Sequence, residues 1–385
     1  MKIVSAQLRN FRNHTDTELE FKAATNVLLG ENGQGKTNVL EALSYLCLTK
    51  SFYATNDSTV IQQGKEFFDV RGTFLLDHGT ESQIRVVYDA SLNRRRYFVG
   101  KQEVETFSSV IGKYPIVILS PENSSITFGM PADRRKFVDM VISQSSKVYV
   151  DDMLEYRRTL RQRNKILIDA ARKKMLTAAD ETSLAPWTES LVVRGSKIIL
   201  KRAHFLQEFA PYVSNAYASI VDDNEVPAID YEPQIACSPK DTVAEIEERY
   251  RRTLEEKRND EIRTGSTLVG PHRDEIAFSL NGLHLRTFSS QGQHKTFLIG
   301  LKIAEFFYLK ERCNETPVFL LDDVFSELDE RRSTRLVGFI ENLAQTFITT
   351  TSENVFHNAL LWGGEKQKIF IRYGAAVSEK EMTTA

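Results

Sequence analysis

Residues 30–37 read Gly30-Glu31-Asn32-Gly33-Gln34-Gly35-Lys36-Thr37, a match to G-x-x-x-x-G-K-[ST]. No other stretch restricts the fold of the chain as much. A buried-type run, Asn26-Val27-Leu28-Leu29, precedes it, and a stretch from Thr37 to about Cys47 follows, with Val39, Leu40, Leu43 and Leu46 at helical spacing. Strand, glycine loop and helix in that order make a cradle for phosphate. The glycines permit a tight turn and let backbone N–H groups approach phosphate oxygens, while the helix N-terminus adds the positive end of its dipole. Lys36 then reaches the outer phosphates and the Thr37 hydroxyl is placed to ligate Mg²⁺. The glycines are spaced G-x-x-G-x-G, which excludes a dinucleotide fingerprint.

A second feature complements the first. Val318-Phe319-Leu320-Leu321-Asp322-Asp323 is a buried-type strand that ends in two carboxylates. Two adjacent acids cannot ionise inside an apolar core at tolerable cost, so they belong at the strand end, where a metal can neutralise them or where they form a solvated loop pair. Beside a phosphate loop, Asp322 is the candidate Mg²⁺ ligand and Asp323 the candidate group that polarises an attacking water. Asp322 follows Thr37 by 322 − 37 = 285 positions, yet both must reach one sheet. The expected fold is therefore α/β, with a head formed by residues 1–130 together with 264–385 and a helical lobe, 131–263, inserted between them.

The pattern along the chain supports this division. Strands are expected at Ile3–Leu8, Leu19–Phe21 and Asn26–Leu29, and a β meander over residues 66–120. From Pro131 to Arg263 long charged helical stretches take over, Met153–Met175 and Ala244–Arg263 being the clearest. Alternation returns at Glu275–Phe288, where Asn281-Gly282 signals a type I′ hairpin. A helix from about Gln291 to Lys310, a strand at Pro317–Leu321, a helix near Glu330–Ile340 and a strand at Thr346–Thr350 complete the reading, with residues 377–385 as a loose tail. The chain of 385 residues carries 50 Lys and Arg against 52 Asp and Glu, so any nucleic-acid surface must be a local patch. Cys47, Cys237 and Cys313 are too scattered for a disulfide framework or a zinc site. The absence of a signal-peptide core and of an apolar run of ~18 residues leads us to expect a cytoplasmic protein with no membrane segment.

Ser289-Ser290-Gln291-Gly292-Gln293 opens the helix that runs to Lys310, with Ser290 as a natural N-cap and Gly292 leaving room for an anion; a plain capped helix is the other reading. This segment resembles the Leu-Ser-Gly-Gly-Gln signature of ABC-type ATPases, with Ser289 in place of the leucine and Gln291 in place of the first glycine. Ser326-Glu327-Leu328-Asp329 is similar to the D-loop of that superfamily. The usual switch histidine is replaced by Ile348-Thr349-Thr350-Thr351, which leaves Thr350 or Thr351 as the candidate phosphate sensor. Asp323 stands where the class usually has glutamate; one methylene fewer holds its oxygen further from the water and predicts slow turnover. In such ATPases the signature completes the partner's nucleotide site, which implies a head-to-tail homodimer holding two ATP molecules, with Ser290, Gly292 and Gln293 as ATP contacts across the interface. The spacing is too long for a transporter subunit and too short for members with very long coiled coils.

Several pieces resemble the RecF family in particular. They are Glu31–Thr37, Ser120-Pro121-Glu122, Gly129-Met130-Pro131 with Arg134-Arg135-Lys136-Phe137, Arg163-Asn164, Gly270-Pro271-His272-Arg273-Asp274, and Leu321-Asp322-Asp323-Val324 running into Ser326–Asp329. The start, Leu8-Arg9-Asn10-Phe11-Arg12-Asn13-His14, resembles the first strand of DNA-maintenance ATPases and implies that Arg12 contacts the nucleotide. The resemblance implies an ABC-type P-loop NTPase head with weak, DNA-stimulated ATPase activity. It further implies binding of single- and double-stranded DNA near gaps, a part in recombinational repair, replication and the SOS response, and cooperation with RecR and RecO to load RecA. The alternative is an ATPase head that regulates a protein partner without touching DNA.

Independently of the family, residues 156–174 carry eight cations (Arg157, Arg158, Arg161, Arg163, Lys165, Arg172, Lys173 and Lys174) against Asp169 alone. Arg158, Arg161 and Lys165 are candidate phosphate contacts there, and Arg95 is the candidate in a second cluster, Arg94-Arg95-Arg96. A solvated helix face is the competing reading. Arg134-Arg135-Lys136 forms a third cluster, with Arg134 and Arg135 open to pairing with acids across the subdomains. His272 either orders the signature region or, like His294, is a core or loop histidine.

Overall fold

The computed structural model describes residues 1–221, 225–325, 330–340, 343–351 and 366–378. The chain divides into two compact units: Met1–Ser124, Ala216–Asp223 and Leu298–Ala385 form the first, Ser125–Asn215 and Asn224–Phe297 the second. Residues 264–297, read above as part of the head, thus belong to the second unit. The reason is a strand that the sequence reading passed over. β9 (Pro227–Glu232) pairs antiparallel with β10 (Glu275–Leu280), Ile276 lying opposite Tyr231, so the returning hairpin stays with the inserted lobe.

The first unit holds two sheets. β1 (Lys2–Phe11), β2 (His14–Glu20), β4 (Phe67–Leu75), β5 (Glu81–Asp89), β6 (Arg94–Val99) and β7 (Gln102–Glu103) form an antiparallel sheet in the order β2-β1-β4-β5-β6-β7. Its strands alternate buried and exposed residues, the mark of one solvated face. The other sheet has the order β15-β14-β3-β13-β12-β8, built from β3 (Thr25–Leu29), β8 (Ile116–Leu119), β12 (Val318–Asp322), β13 (Thr346–Thr350), β14 (Lys366–Arg372) and β15 (Ala375–Val377). From β14 to β8 the neighbours run parallel, and every residue of β3, β8, β12 and β13 is buried, as a covered parallel sheet demands.

Helix α1 (Lys36–Leu48) packs against β1, β4 and β5 of one sheet and against β8, β12 and β13 of the other. Eleven of its 13 residues are buried. That accounts for Ala42, Tyr45, Cys47 and Leu48, which an amphipathic stripe alone would have left in water. Val377, assigned above to a loose tail, lies in β15, and residues 379–385 fall outside the described residues.

The second unit is mainly helical. After a single turn, α2 (Ser125–Phe128), come α3 (Pro131–Ser145), α4 (Lys147–Lys173), α5 (Ala178–Ile220, whose last turn enters the first unit) and α6 (Val243–Thr264). Ser146 caps α4, and α6 has a reciprocal capping box between Thr242 and Glu245. The hairpin from β10 to β11 (Leu283–His284) turns through Asn281 at φ 53° and Gly282 at φ 76°, the type I′ geometry expected of that dipeptide. A short α7 (Leu285–Phe288) leads into α8 (Gln291–Arg312), which continues into the first unit and stacks Phe306 on Phe319 of β12.

Buried charge ties this unit together. Arg202 on α5 is 2% exposed and holds Asp139 of α3 and Asp274 by ion pairs of 2.9 and 3.3 Å. Tyr149 donates to Asp139, Tyr231 donates to Asp274, and the Pro271 carbonyl accepts from Arg202, so the cluster is well supplied with hydrogen bonds. Breaking such a cluster from one side strands a carboxylate in the core. Arg202→Ala is therefore expected to lower unfolding stability by about 3–5 kcal/mol in a urea titration. A loss below about 1 kcal/mol, the size of a surface ion pair, would show that the cluster does not hold the unit together.

Candidate functional site

The parallel sheet assembles the site by register. β13 lies between β3 and β12, with Thr349 opposite Leu28 on one side and Asp322 on the other. The C-terminal ends of the three strands thus come together, the edge at which open α/β sheets build ligand sites. Thr37 Oγ1 donates to Asp322 Oδ1 at 2.8 Å across 285 positions of sequence. Thr349 Oγ1 donates to the same oxygen at 2.8 Å and accepts the Asp323 N–H at 2.9 Å. Asp323 adopts the left-handed conformation, φ 48°, which turns the chain away at the strand end.

Burial pushes the Asp322 carboxyl above the usual carboxylate range, and the hydrogen bonds from Thr349 and Thr37 pull it part of the way back. Lys36 Nζ donates to the carbonyls of Gly30 and Glu31 at 2.6 and 2.8 Å. Burial lowers the Lys36 pKa, opposed by the carboxylates of Asp323 and Asp322. Glu31, Asn32 and Gly33 are exposed at the crown of the loop and Gln34 is half-buried.

Two turns from elsewhere in the chain brace the loop. Gly35 begins α1 at φ 113°, where a Cβ would lie 2.6 Å from Asn13 Oδ1 and 2.9 Å from His14 Nε2, so only glycine fits. Asn13 Nδ2 donates to the Gln34 carbonyl at 3.0 Å, and His14 Nε2 to that of Gly35 at 3.1 Å. Burial keeps the fully enclosed His14 below the ordinary imidazole pKa. From the turn between β14 and β15, the Tyr373 N–H donates to Gln34 Oε1 at 2.6 Å and the Gly374 N–H to the Gln34 carbonyl at 2.9 Å.

Mg²⁺ takes one or two protein oxygens and fills its shell with water and substrate phosphate. Thr37 and Asp322 meet that requirement, with a hydroxyl and a carboxylate oxygen already in contact beside the loop. Among the described residues no group of three or more His, Cys, Asp or Glu side chains could hold a metal ion.

Arg12, next to Asn13, makes no hydrogen bond or ion pair with the loop among the described residues. At φ 54°, it makes a bidentate pair with the buried Glu41, at 2.8 and 2.9 Å, and donates to the Thr59 carbonyl. The Glu41 hydrogen bonds raise its pKa against the effect of burial. Ser290, Gly292 and Gln293 sit in the second unit at the start of α8. The Ser290 N–H donates to Gln293 Oε1 at 2.8 Å and the Gln293 N–H to Ser290 Oγ at 3.2 Å, a capping box that leaves Gly292 half-exposed. Ser326–Asp329 lies outside the described residues. Thr350 is buried in β13 and Thr351 is exposed just beyond it.

Of the candidate DNA contacts, Arg158, Arg161 and Lys165 are exposed along α4. Arg95 from the same set, and Arg163 from the basic run, are ion-paired within the fold. Arg95 is held by Asp57 at 2.8 Å and packs over the Phe107 ring, which commits its charge within the fold. Arg163 is buried against Glu261 at 2.6 Å, linking α4 to α6. Arg134 pairs with Glu275 at 2.9 Å, both within the second unit.

Sequence reasoning missed Asn13, His14, Glu41 and Thr349. Thr349 could have been found as the hydroxyl at the end of the strand that follows the acidic one. Asn13 and His14 belong to the segment that carried the family resemblance, but nothing local links them to a loop 21 positions on.

Known proteins match most of the chain. The family described as RecF/RecN/SMC N terminal domain matches residues 2–371. The DNA replication and repair protein RecF of Chloroherpeton thalassium is 42% identical over 359 residues, 92% of this chain and 96% of that protein. Its counterpart of the same name from Geobacillus kaustophilus is 37% identical, over 91% of this chain and 93% of that one. A solved structure of the recombination mediator protein RecF-ATPrS in the RecFOR pathway superposes with a TM-score of 0.88 at 31% identity, covering 97% of each chain. The Smc head domain from Pyrococcus furiosus, at 14% identity and a TM-score of 0.54, with 99% of this chain and 98% of that one covered, shares the fold.

Removing the Thr349 hydroxyl takes one donor from a buried carboxylate and orphans the Asp323 N–H. Thr349→Val should cost about 1–3 kcal/mol of stability in denaturant unfolding, with Thr349→Ser recovering most of it. Equal stability of Thr349→Val and the parent would show that this link carries no weight.

Proposed function

The chain belongs to the RecF family, and we propose on that footing that it is an ATP-switched DNA-binding protein of recombinational repair and replication. The observation that carries the reading is the meeting of Thr37 with Asp322 at the mouth of the glycine loop. In this reading the backbone N–H groups of residues 33–37 and the Lys36 ammonium receive the triphosphate of ATP. Thr37 and Asp322 hold Mg²⁺, which when bound screens the phosphate charge. Asp323 orients the attacking water. Its short side chain holds the oxygen back, so turnover is slow, and DNA stimulates it.

Each chain has one phosphate loop and one signature helix. The active form is then a two-fold homodimer in which Ser290, Gly292 and Gln293 of one subunit complete the ATP site of the other. Arg158, Arg161 and Lys165 line the side of α4 offered to the phosphate backbone of single- or double-stranded DNA. RecR and RecO are the partners, RecA is loaded downstream, and the cytoplasm, where the chromosome lies, is the place of action. No helix among the described residues is long and apolar enough to cross a membrane.

Sedimentation velocity with a non-hydrolysable ATP analogue should show a monomer-to-dimer shift that Lys36→Arg and Ser290→Arg each abolish. A shift that survives both substitutions refutes the sandwiched arrangement. Neutralising Arg158, Arg161 and Lys165 together should weaken DNA retention on filters and flatten the slope of log affinity against log salt by roughly 2–3. An unchanged slope removes this face, and no retention by the parent protein favours a head that acts on a protein partner alone.

A further inference from the structure

The second unit has an open cavity of about 160 Å³ between α3, α4, α5 and the loop before β10. Four cationic side chains line it: Arg135, Lys136, Arg157 and, at its buried end, Arg202. The one carboxylate among the lining residues, Asp139, is already engaged by Arg202 and by the Tyr149 hydroxyl. His272 completes the polar part of the wall. Burial and the nearby Arg273, Arg135 and Arg163 lower its pKa to about 4, so it adds no charge at neutral pH.

Among the described residues, three of the four cations form no ion pair. Arg135 is half-buried and donates to the Asp274 carbonyl at 2.6 Å, with no carboxylate in ion-pair range. Lys136 and Arg157 are exposed at the rim and have no acidic partner either. Burial and the neighbouring Arg202 push the Arg135 pKa down, against the attraction of the Asp274, Glu275 and Asp139 carboxylates. A fold seldom gathers unneutralised cations around a concavity without an anion to receive them.

We propose that this cavity is a phosphate-binding subsite separate from the glycine loop, and that the group it takes is a phosphomonoester. Its volume lies below the ~300 Å³ at which sites for drug-sized ligands begin, and it suits a single phosphoryl group. A phosphomonoester carries a charge of about −1.5 to −2 at neutral pH and three terminal oxygens, which Arg135, Lys136 and Arg157 can each meet with a charge-assisted hydrogen bond. A backbone phosphodiester, with a single charge and two free oxygens, leaves one of the three cations unmatched. Arg157 also begins the exposed row Arg157, Arg161, Lys165 at helical i, i+4 spacing, so the cavity opens onto the basic side of α4. The phosphate can come from a small molecule in solution or from the terminus of a nucleic-acid strand lying along that helix.

The test uses the full chain and Lys136→Gln/Arg157→Gln, two exposed positions whose side chains make no hydrogen bond or ion pair among the described residues. The glycine loop also binds phosphate, so the readout is the difference between parent and variant. In calorimetric titration with inorganic phosphate the variant should lose a site that the parent has, or bind there roughly tenfold more weakly. The second arm compares one short oligonucleotide with and without a terminal phosphate. Preference for the phosphorylated strand in the parent, lost in the variant, assigns the site to strand ends; no preference, with the phosphate difference intact, assigns it to small phosphomonoesters. Parent and variant alike in both arms overturn the proposal. Neither arm reads ATP binding or dimerisation, so the result stands apart from the proposed switch.

Discussion

Two threonine hydroxyls converge on one carboxylate oxygen of Asp322, and most of the first unit is arranged around that convergence. A carboxylate so enclosed is costly unless its lone pairs are met. Thr37 comes from the first turn of α1 and Thr349 from β13, so satisfying Asp322 fixes the helix against the sheet and sets where three strands end. In the proposed function this same carboxylate is the one that would hold Mg²⁺ together with Thr37.

α1 shows how the rest follows. It is enclosed by an antiparallel and a parallel sheet, which leaves its first turn as the point where the structure can meet solvent. The loop ahead of it is restrained by hydrogen bonds from Asn13, His14, Tyr373 and Gly374, from turns at opposite ends of the sequence. A loop held by partners of such different origin keeps its N–H groups aimed at one place, which is what preorganisation for an anion requires.

Much of this was legible beforehand. The glycine loop, its flanking strand and helix, the acidic strand end and the Asn281-Gly282 turn each depend on neighbours within about ten residues, and there pattern and structure agree. What stayed hidden depends on distant pairing. β9 begins with proline and has only Ile229 and Tyr231 to mark an alternation, and β14 hides Ile369 and Ile371 among lysines and an arginine. Thr349 is one of three successive threonines, and only strand register singles it out. Arg95 and Arg163 looked like surface charge because their partners, Asp57 and Glu261, lie 38 and 98 positions away.

The position of β3 has a consequence for how the molecule is made. Its two neighbours, β13 and β14, both lie near the end of the chain, and between Leu29 and Thr346 there are 346 − 29 = 317 positions. At bacterial synthesis rates of ~5–20 residues per second, this strand waits roughly 15–60 s on the ribosome with neither edge covered. Its five residues are all destined for burial. Nascent copies on crowded polysomes are thus open to mispairing with one another during that interval. Expression yield should respond to translation speed and to holdase chaperones far more than the stability of the finished molecule would lead one to expect.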